Sequence, residues 1–204
     1  MSYELKDEIY KGHTLKIVSD DDAQPPDDCD DAGAFLVAGH SDCWIPPPGM
    51  KDERSPEAWL ERFEDTHWKY PIEAYIHSGV VLARSSCGGF PDRRWDVSNP
   101  VGFVFLSKEE WKTRDSKKAN KYCDSLIETW NQYLSGDVWG YVVEHEESGW
   151  EDSCWGFMGD EYCEQEARSS IDWHVEDLRK KKIEQVKTWI RNEVPLAVRQ
   201  AAML

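Results

Sequence analysis

Apolar and polar positions alternate from Thr14 to Val18 (TLKIV), the period-two pattern of a half-buried strand. Ala34 to Ala38 (AFLVA) is a short apolar run that reads as a second strand. Ser55 before Pro56 suits a helix start, since the Ser oxygen caps free amides and Pro fits the first turn. Trp59, Leu60 and Phe63 then supply an apolar face. Two short runs, 72–76 and 80–83, flank His77, Ser78 and Gly79 and predict a hairpin. Gly88, Gly89, Pro91, Asn99 and Pro100 mark an irregular loop, after which Val101 to Leu106 (VGFVFL) reads as a buried strand. Ser107 and Glu110 have the spacing of a capping box for the next helix.

From Lys117 to Leu134 the apolar residues Tyr122, Cys123, Leu126, Ile127, Trp130, Tyr133 and Leu134 fall at helical spacing, and Gly136 ends the run. Val138 to Glu144 predicts a strand that turns at Ser148 and Gly149, with Trp150 to Met158 pairing back on it. A long helix follows from Gly159 and Asp160 to about Asn192, with Ala167, Ile171, Val175, Leu178, Val186 and Ile190 as its inner stripe and Pro195 beyond. The expected class is α+β, a mainly antiparallel sheet with helices packed on one face and a long C-terminal helix. One domain over residues 1–204 is expected, with an exposed loop at 19–31 and the terminal helix at about 160–192.

Composition changes this picture in two ways. Of the 204 residues 12% are aromatic and 11 are Trp, which excludes a disordered acidic chain. Lys and Arg total 24 against 40 Asp and Glu, a net charge of −16, which excludes ordinary phosphate-backbone binding. No apolar run approaches the roughly 18 residues of a membrane span, and Met1 to Tyr10 lacks the apolar centre of a signal peptide. A cytosolic protein with reduced thiols and no membrane contact is expected. The six cysteines contain no C-x-x-C pair, and Cys29, His40 and Cys43 are the nearest approach to a ligand cluster. Unpaired structural thiols, with no metal and no cofactor, are the simpler expectation.

Candidate chemistry is sparse. Cys154, between Ser153 and Trp155, has the type of a nucleophile, with His77 or His145 as its base. The simpler account of the same motif places Trp155 and Phe157 in the core of a strand, with Gly156 allowing close packing and Gly159 turning into the helix. His77, Ser78 and Asp96 supply triad residue types, but no G-x-S-x-G, P-loop or G-x-G-x-x-G is present. No catalytic residue is therefore expected; an enzyme, if this is one, would use Cys154, His77 and Asp96.

The acids are concentrated. Asp20, Asp21, Asp22, Asp27, Asp28, Asp30 and Asp31 fall in one Pro-containing loop with no cation. Glu144 to Asp177 holds 12 acids and one base, Arg168, including Glu144, Glu146, Glu147, Glu151, Asp152, Asp160 and Glu161. Leu178 to Arg191 reverses sign, with Arg179, Lys180, Lys181, Lys182, Lys187 and Arg191 against Glu184. Helix dipoles favour acids early and bases late, but they do not explain seven aspartates in a loop. Two dense carboxylate blocks suit the cationic groove of a nucleic-acid-binding protein, and the basic helix half suits the acidic surface of a second copy, a homodimer. A blander alternative puts the interface on exposed aromatics, with Trp44, Trp68 and Trp95 in loop-like contexts.

Several segments together resemble a family of acidic proteins encoded by bacteriophages and other mobile elements. They are LKIVSDDDAQPPDDCDDAGAFLV (15–37), HSGVVLARSSCGGF with the following RWD (77–96), VGFVFLSKEE (101–110), NQYLSGDVWGYVVE (131–144) and DSCWGFMGDEYCEQEA (152–167). The last two, read as a pair, are the most specific. This chain departs from the family at Cys29 and Asp30, and its loop before Trp95 is longer. The resemblance implies a small protein made in the host cytoplasm during infection or transfer, and brings no established reaction. Together with the charge pattern it leads to an expected function. That function is inhibition of a host nucleic-acid-targeting defence, of antirestriction or anti-CRISPR type, by binding a basic host protein with a DNA-like acidic surface. The alternatives are a small cytosolic Cys/His hydrolase or nucleotide-modifying enzyme, and an interaction protein that uses an aromatic patch.

Overall fold

The computed structural model describes residues 3–26, 33–50, 56–85, 89–90, 95–114 and 116–201. The strands are β1 (Glu4–Tyr10), β2 (His13–Ser19), β3 (Ala34–His40), β4 (Cys43–Ile45), β5 (His67–Ile76), β6 (Val80–Arg84), β7 (Val97–Ser107), β8 (Val138–His145) and β9 (Trp150–Met158). The helices are α1 (Pro56–Phe63), α2 (Lys117–Ser135), α3 (Asp160–Glu193) and α4 (Leu196–Ala201). This is an α+β protein whose strands pair antiparallel and whose long C-terminal helix packs on sheet. The chain divides into two compact units: unit 1 is residues 1–20 with 139–204, and unit 2 is residues 21–138.

Unit 1 is a four-stranded sheet in the order β1-β2-β8-β9. Alternation in TLKIV turns Leu15 and Ile17 inward, where they meet Tyr141 and Val143 of β8 and Cys163, Ala167 and Ile171 of α3. The three helix residues recur every fourth position, which aligns them on one face. β1 is an edge strand that the apolar pattern does not announce, because its inward residues are charged. Lys6 Nζ lies 2.7 Å from Glu164, and Arg168 lies 2.5 Å from Glu8 and 2.8 Å from Glu164. The apolar Leu5 and Ile9 of β1 are exposed instead.

The expected inner stripe of α3 holds only in its first half. Ala167 and Ile171 are buried and Val175 packs against the same core, while Leu178, Val186 and Ile190 are exposed. The reason is length. Thirty-four residues rise about 51 Å, whereas four strands spaced about 4.8 Å apart span less than half of that. Among the described residues no helix is long and apolar enough to cross a membrane.

Trp155 corrects another expectation. It does not enter the core but lies over Gly140, 48% exposed, on the face opposite Tyr141. Phe157 stacks on Tyr141 at 5.7 Å. Two residues at i and i+2 reach opposite faces because Gly156, at φ +84°, breaks the pleat between them.

Unit 2 is a five-stranded sheet in the order β4-β3-β7-β5-β6. The apolar run of β3 is buried on both faces. Ala34, Leu36 and Ala38 join Ala119, Cys123, Ile127 and Trp130 of α2, while Phe35 and Val37 join Phe105 and Trp59 of the short α1. Such two-sided burial explains why β3 reads as a continuous apolar stretch. The Ser107 capping box caps no helix: Ser107 Oγ accepts from Glu109 N at 3.2 Å in the turn after β7. Ser116 is the N-cap of α2, accepting from Ala119 N at 3.0 Å, and Gly136 ends the helix in the left-handed region as expected. Asn131 of α2 closes the outer edge of β6, its Oδ1 accepting from Leu82 N and its Nδ2 donating to Leu82 O.

Gly102 of β7 sits against the β3 backbone, where a methyl group would overlap the Val37 carbonyl oxygen. Gly102→Ala is therefore expected to destabilise unit 2 by about 3 kcal/mol, because backbone on both strands must move. Urea unfolding followed by far-UV circular dichroism measures this, and an unchanged midpoint would contradict the close approach.

Candidate functional site

The acidic residues do not form one uniform surface. In the aspartate loop, Asp20 is half-exposed at the end of β2, Asp21 and Asp22 are exposed, and the Asp22 carbonyl accepts from Gln24 Nε2 at 3.0 Å. Asp27, Asp28, Asp30 and Asp31 lie outside the described residues, as does Cys29. The chain passes from unit 1 to unit 2 between Asp20 and Asp21, so this loop is also the exit point of unit 1.

The second block belongs to unit 1 and splits by function. Glu164, Asp172, Glu176 and Asp177 are in ion pairs with Lys6, Lys11, Arg179 and Lys181. Hydrogen bonds from these cations hold the Glu164 and Asp172 carboxyls below the usual range. Asp152 accepts from Ser170 Oγ at 2.5 Å and from Tyr141 Oη at 3.1 Å, fastening β9 and β8 to α3. Burial, and then the hydrogen bond to Asp152, push Tyr141 up to about 12. Glu144, Glu146, Glu147, Glu151, Asp160 and Glu161 are all exposed and in no ion pair among the described residues. Asp160 and Glu161 also face the free amides of the first turn of α3, a local reason for acids there.

The residues named for catalysis are placed as follows. His77, at the β5–β6 turn of unit 2, has Nδ1 3.4 Å from Asp96 Oδ2. Ser78, with φ +57°, donates its hydroxyl to the His77 carbonyl at 2.6 Å, so it faces its own backbone rather than the imidazole. Cys154 is in unit 1, on β9, exposed, with its Sγ 4.0 Å from the Trp155 carbonyl. Cys43, Cys123 and Cys163 are buried, and burial pushes their thiols up to about 11, 12 and 12. Among the described residues no three His, Cys, Asp or Glu are arranged to hold a metal. Of the three Trp candidates, Trp44 lies in β4 and Trp68 in β5 rather than in loops, the latter donating Nε1–H to the Trp111 carbonyl at 2.8 Å. Trp95 is 87% exposed.

Sequence reasoning missed a buried histidine cluster in unit 1. His13 and His174 are buried, and His13 Nε2 lies 2.8 Å from His174 Nδ1. His13 Nδ1 lies 3.0 Å from the Lys11 carbonyl, which requires a proton there; Nε2 then accepts from His174 Nδ1–H. The His145 ring is 4.5 Å from that of His13, and Trp150 stacks on His174 at 4.0 Å. The signal was present as spacing, since His13 continues the inward alternation of Leu15 and Ile17, and His174 follows Ile171 by three. A lone His at an apolar position carries no label for its partner 161 residues away.

No protein-family model, no curated protein and no solved structure matches this chain. The mobile-element resemblance therefore remains an expectation carried by the quoted segments.

Burial lowers the affinity of both His13 and His174 for protons, aided for His174 by the neighbouring His13 and His145. Asp177 opposes and Lys181 reinforces the effect at His174. The unfolded chain then binds more protons near its ordinary histidine pKa of about 6.5, so stability is full above that value and is lost as pH falls through it. A slope of up to about 2.7 kcal/mol per pH unit is expected for the pair. Urea unfolding at pH 8, 7, 6 and 5 reads it directly. His174→Gln should roughly halve the slope, and a pH-independent midpoint between 7 and 5 would contradict neutral burial.

Proposed function

We propose that this protein is a mobile-element or phage inhibitor of a host nucleic-acid-targeting defence, acting in the host cytoplasm by binding a basic effector in place of DNA or RNA. The observation that carries the reading is the set of exposed carboxylates that have no ion-pair partner among the described residues, Glu144, Glu146, Glu147, Glu151, Asp160 and Glu161, on one unit. Of the other acids in the segment, Glu164, Asp172, Glu176 and Asp177 pair with Lys6, Lys11, Arg179 and Lys181 and Asp152 is hydrogen-bonded by Ser170 and Tyr141, so the outward charge is carried by these six with the half-exposed Glu166. The −16 net charge adds long-range attraction for a cationic groove and repulsion for nucleic acid. Restriction enzymes and CRISPR effectors both present such grooves. The reversed charge of Leu178 to Arg191 also suits pairing with the acidic surface of a second copy.

The expected outcome is loss of DNA binding by at least one effector in a panel of restriction and CRISPR nucleases, measured by fluorescence anisotropy at 50 and 300 mM salt, with weaker inhibition at the higher salt. Replacing Glu144, Glu146, Glu147 and Glu151 together by Gln should weaken inhibition at least tenfold while leaving the circular dichroism spectrum intact. A panel in which no effector loses DNA at either salt would refute mimicry.

The hydrolase reading has one observation in its favour, the His77–Asp96 pair. His77→Ala and Cys154→Ala are expected to retain full biological effect in an infection or transfer assay. Loss of effect in either, with fold preserved, would move the function from surface charge to catalysis.

A further inference from the structure

β1 is the edge strand of the unit 1 sheet, paired with β2 and, among the described residues, with no strand on its other side. The hairpin turn decides which of its residues offer backbone groups to that free edge. Tyr10 and His13 flank the two-residue turn Lys11-Gly12, whose φ angles are +48° and +81°, so they form the hydrogen-bonded pair that closes the hairpin. Bonded and non-bonded pairs alternate along an antiparallel ladder, so Glu8 also faces β2, while Asp7 and Ile9 turn their N–H and C=O groups outward. The register slips between Glu4 and Lys6, which leaves Leu5 to Ile9 as the stretch on offer.

An edge of this kind is a template for another strand. The stretch Leu5-Lys6-Asp7-Glu8-Ile9 is complementary to itself when run antiparallel about Asp7. Leu5 then lies opposite Ile9 of a second copy, and Lys6 opposite its Glu8. Leu5 is 42% and Ile9 70% exposed, which is apolar surface that the pairing covers. On the α3 face, Lys6 Nζ is already 3.4 Å from Glu8 and 2.7 Å from Glu164 of its own copy, so charges of opposite sign interleave across the junction. Only Asp7 meets its like. Registers shifted by two residues put Lys6 on Lys6 or Glu8 on Glu8, and set Leu5 or Ile9 against Asp7. Slips of one residue bring up positions whose backbone groups face β2.

We propose that β1 pairs with β1 of a second copy across a two-fold axis at Asp7, joining two four-stranded sheets into one of eight strands. The inference goes beyond the inhibitor reading and does not rest on it, and it uses a surface other than the basic half of α3. Pairing of this symmetric kind consumes both free β1 edges, so it stops at a dimer. Five residue pairs lie at the small end of specific interfaces, which sets an expected dissociation constant on the order of 10 μM.

Sedimentation velocity of the full chain from about 1 to 300 μM, at 50 and 500 mM salt, measures the association. A monomer–dimer equilibrium is expected that tightens at the higher salt, because screening relieves repulsion between two chains of −16 charge. Asp7→Asn should tighten it severalfold by removing the like pair. Leu5→Lys and Ile9→Asp, both at exposed positions, should each weaken self-association at least tenfold with the circular dichroism spectrum unchanged. Mixing these two variants should restore a dimer, since the introduced cation then faces the introduced carboxylate and the remaining Leu5 faces the remaining Ile9. A chain that stays monomeric at about 300 μM would overturn the inference. A dimer unmoved by Leu5→Lys and Ile9→Asp would overturn it in favour of another surface, and its loss on replacing Lys180, Lys181 and Lys187 by Gln would assign that surface to α3. Variants that fail to recover on mixing would overturn the pairing about Asp7.

Discussion

The pairing of β2 with β8 holds the architecture together. Six successive residue pairs, from Thr14 with Glu144 to Ser19 with Trp139, join segments separated by about 120 residues of chain. Everything in unit 2 therefore leaves and re-enters unit 1 at neighbouring backbone positions. Loop-closure entropy grows only with the logarithm of length, so a long insertion is tolerated once this ladder and its apolar face are in place. That face is Leu15, Ile17, Tyr141 and Val143, covered by Cys163, Ala167 and Ile171. Without the long-range strand pairing, α3 would have no surface on which to bury its first half.

Most elements were legible because they obey one period. β2, β3, the β5–β6 hairpin, α2, β8, β9 and the limits of α3 follow apolar spacing and glycine stops closely. The exceptions arise where a residue's partner lies elsewhere in the chain, or where a local turn or a single backbone angle overrides the spacing. β1 was illegible because Lys6 and Glu8 point inward to Glu164 and Arg168. Ser107 and Glu110 had capping spacing, but the chain turns there and waits until Ser116 to start the helix. Trp155 alternates correctly with Phe157 on paper, and only the positive φ of Gly156 sends it to the other face. The acid blocks were visible as composition. Which acids are structural was not, since that depends on Lys6, Lys11, Tyr141 and Ser170 arriving from three other elements.

Carboxylates perform two physical tasks in this protein. Glu8, Glu164, Asp172 and Asp152 stitch β1, the β1–β2 turn, β8, β9 and α3 together through hydrogen-bonded pairs at the edges of the core. The outward acids of the β8–β9 turn make no such pairs among the described residues and repel one another, while Asp160 and Glu161 gain only from the free amides at the start of α3. A surface kept charged at its own expense is more readily understood as serving association than packing.

The position of the insertion also sets an order of events during synthesis. β2 emerges from the ribosome about 120 residues before β8, which at roughly 5–20 residues per second is a delay on the order of ten seconds. A lone two-stranded hairpin such as β1–β2 is marginal in water and presents an unpaired edge for that whole interval. Glu4, Lys6, Asp7, Glu8, Lys11 and Lys16 give the waiting segment alternating charge, which disfavours pairing with the many newly made strands of unit 2. The charges of β1, the turn and β2 thus cover the interval in which the β2 edge waits for β8.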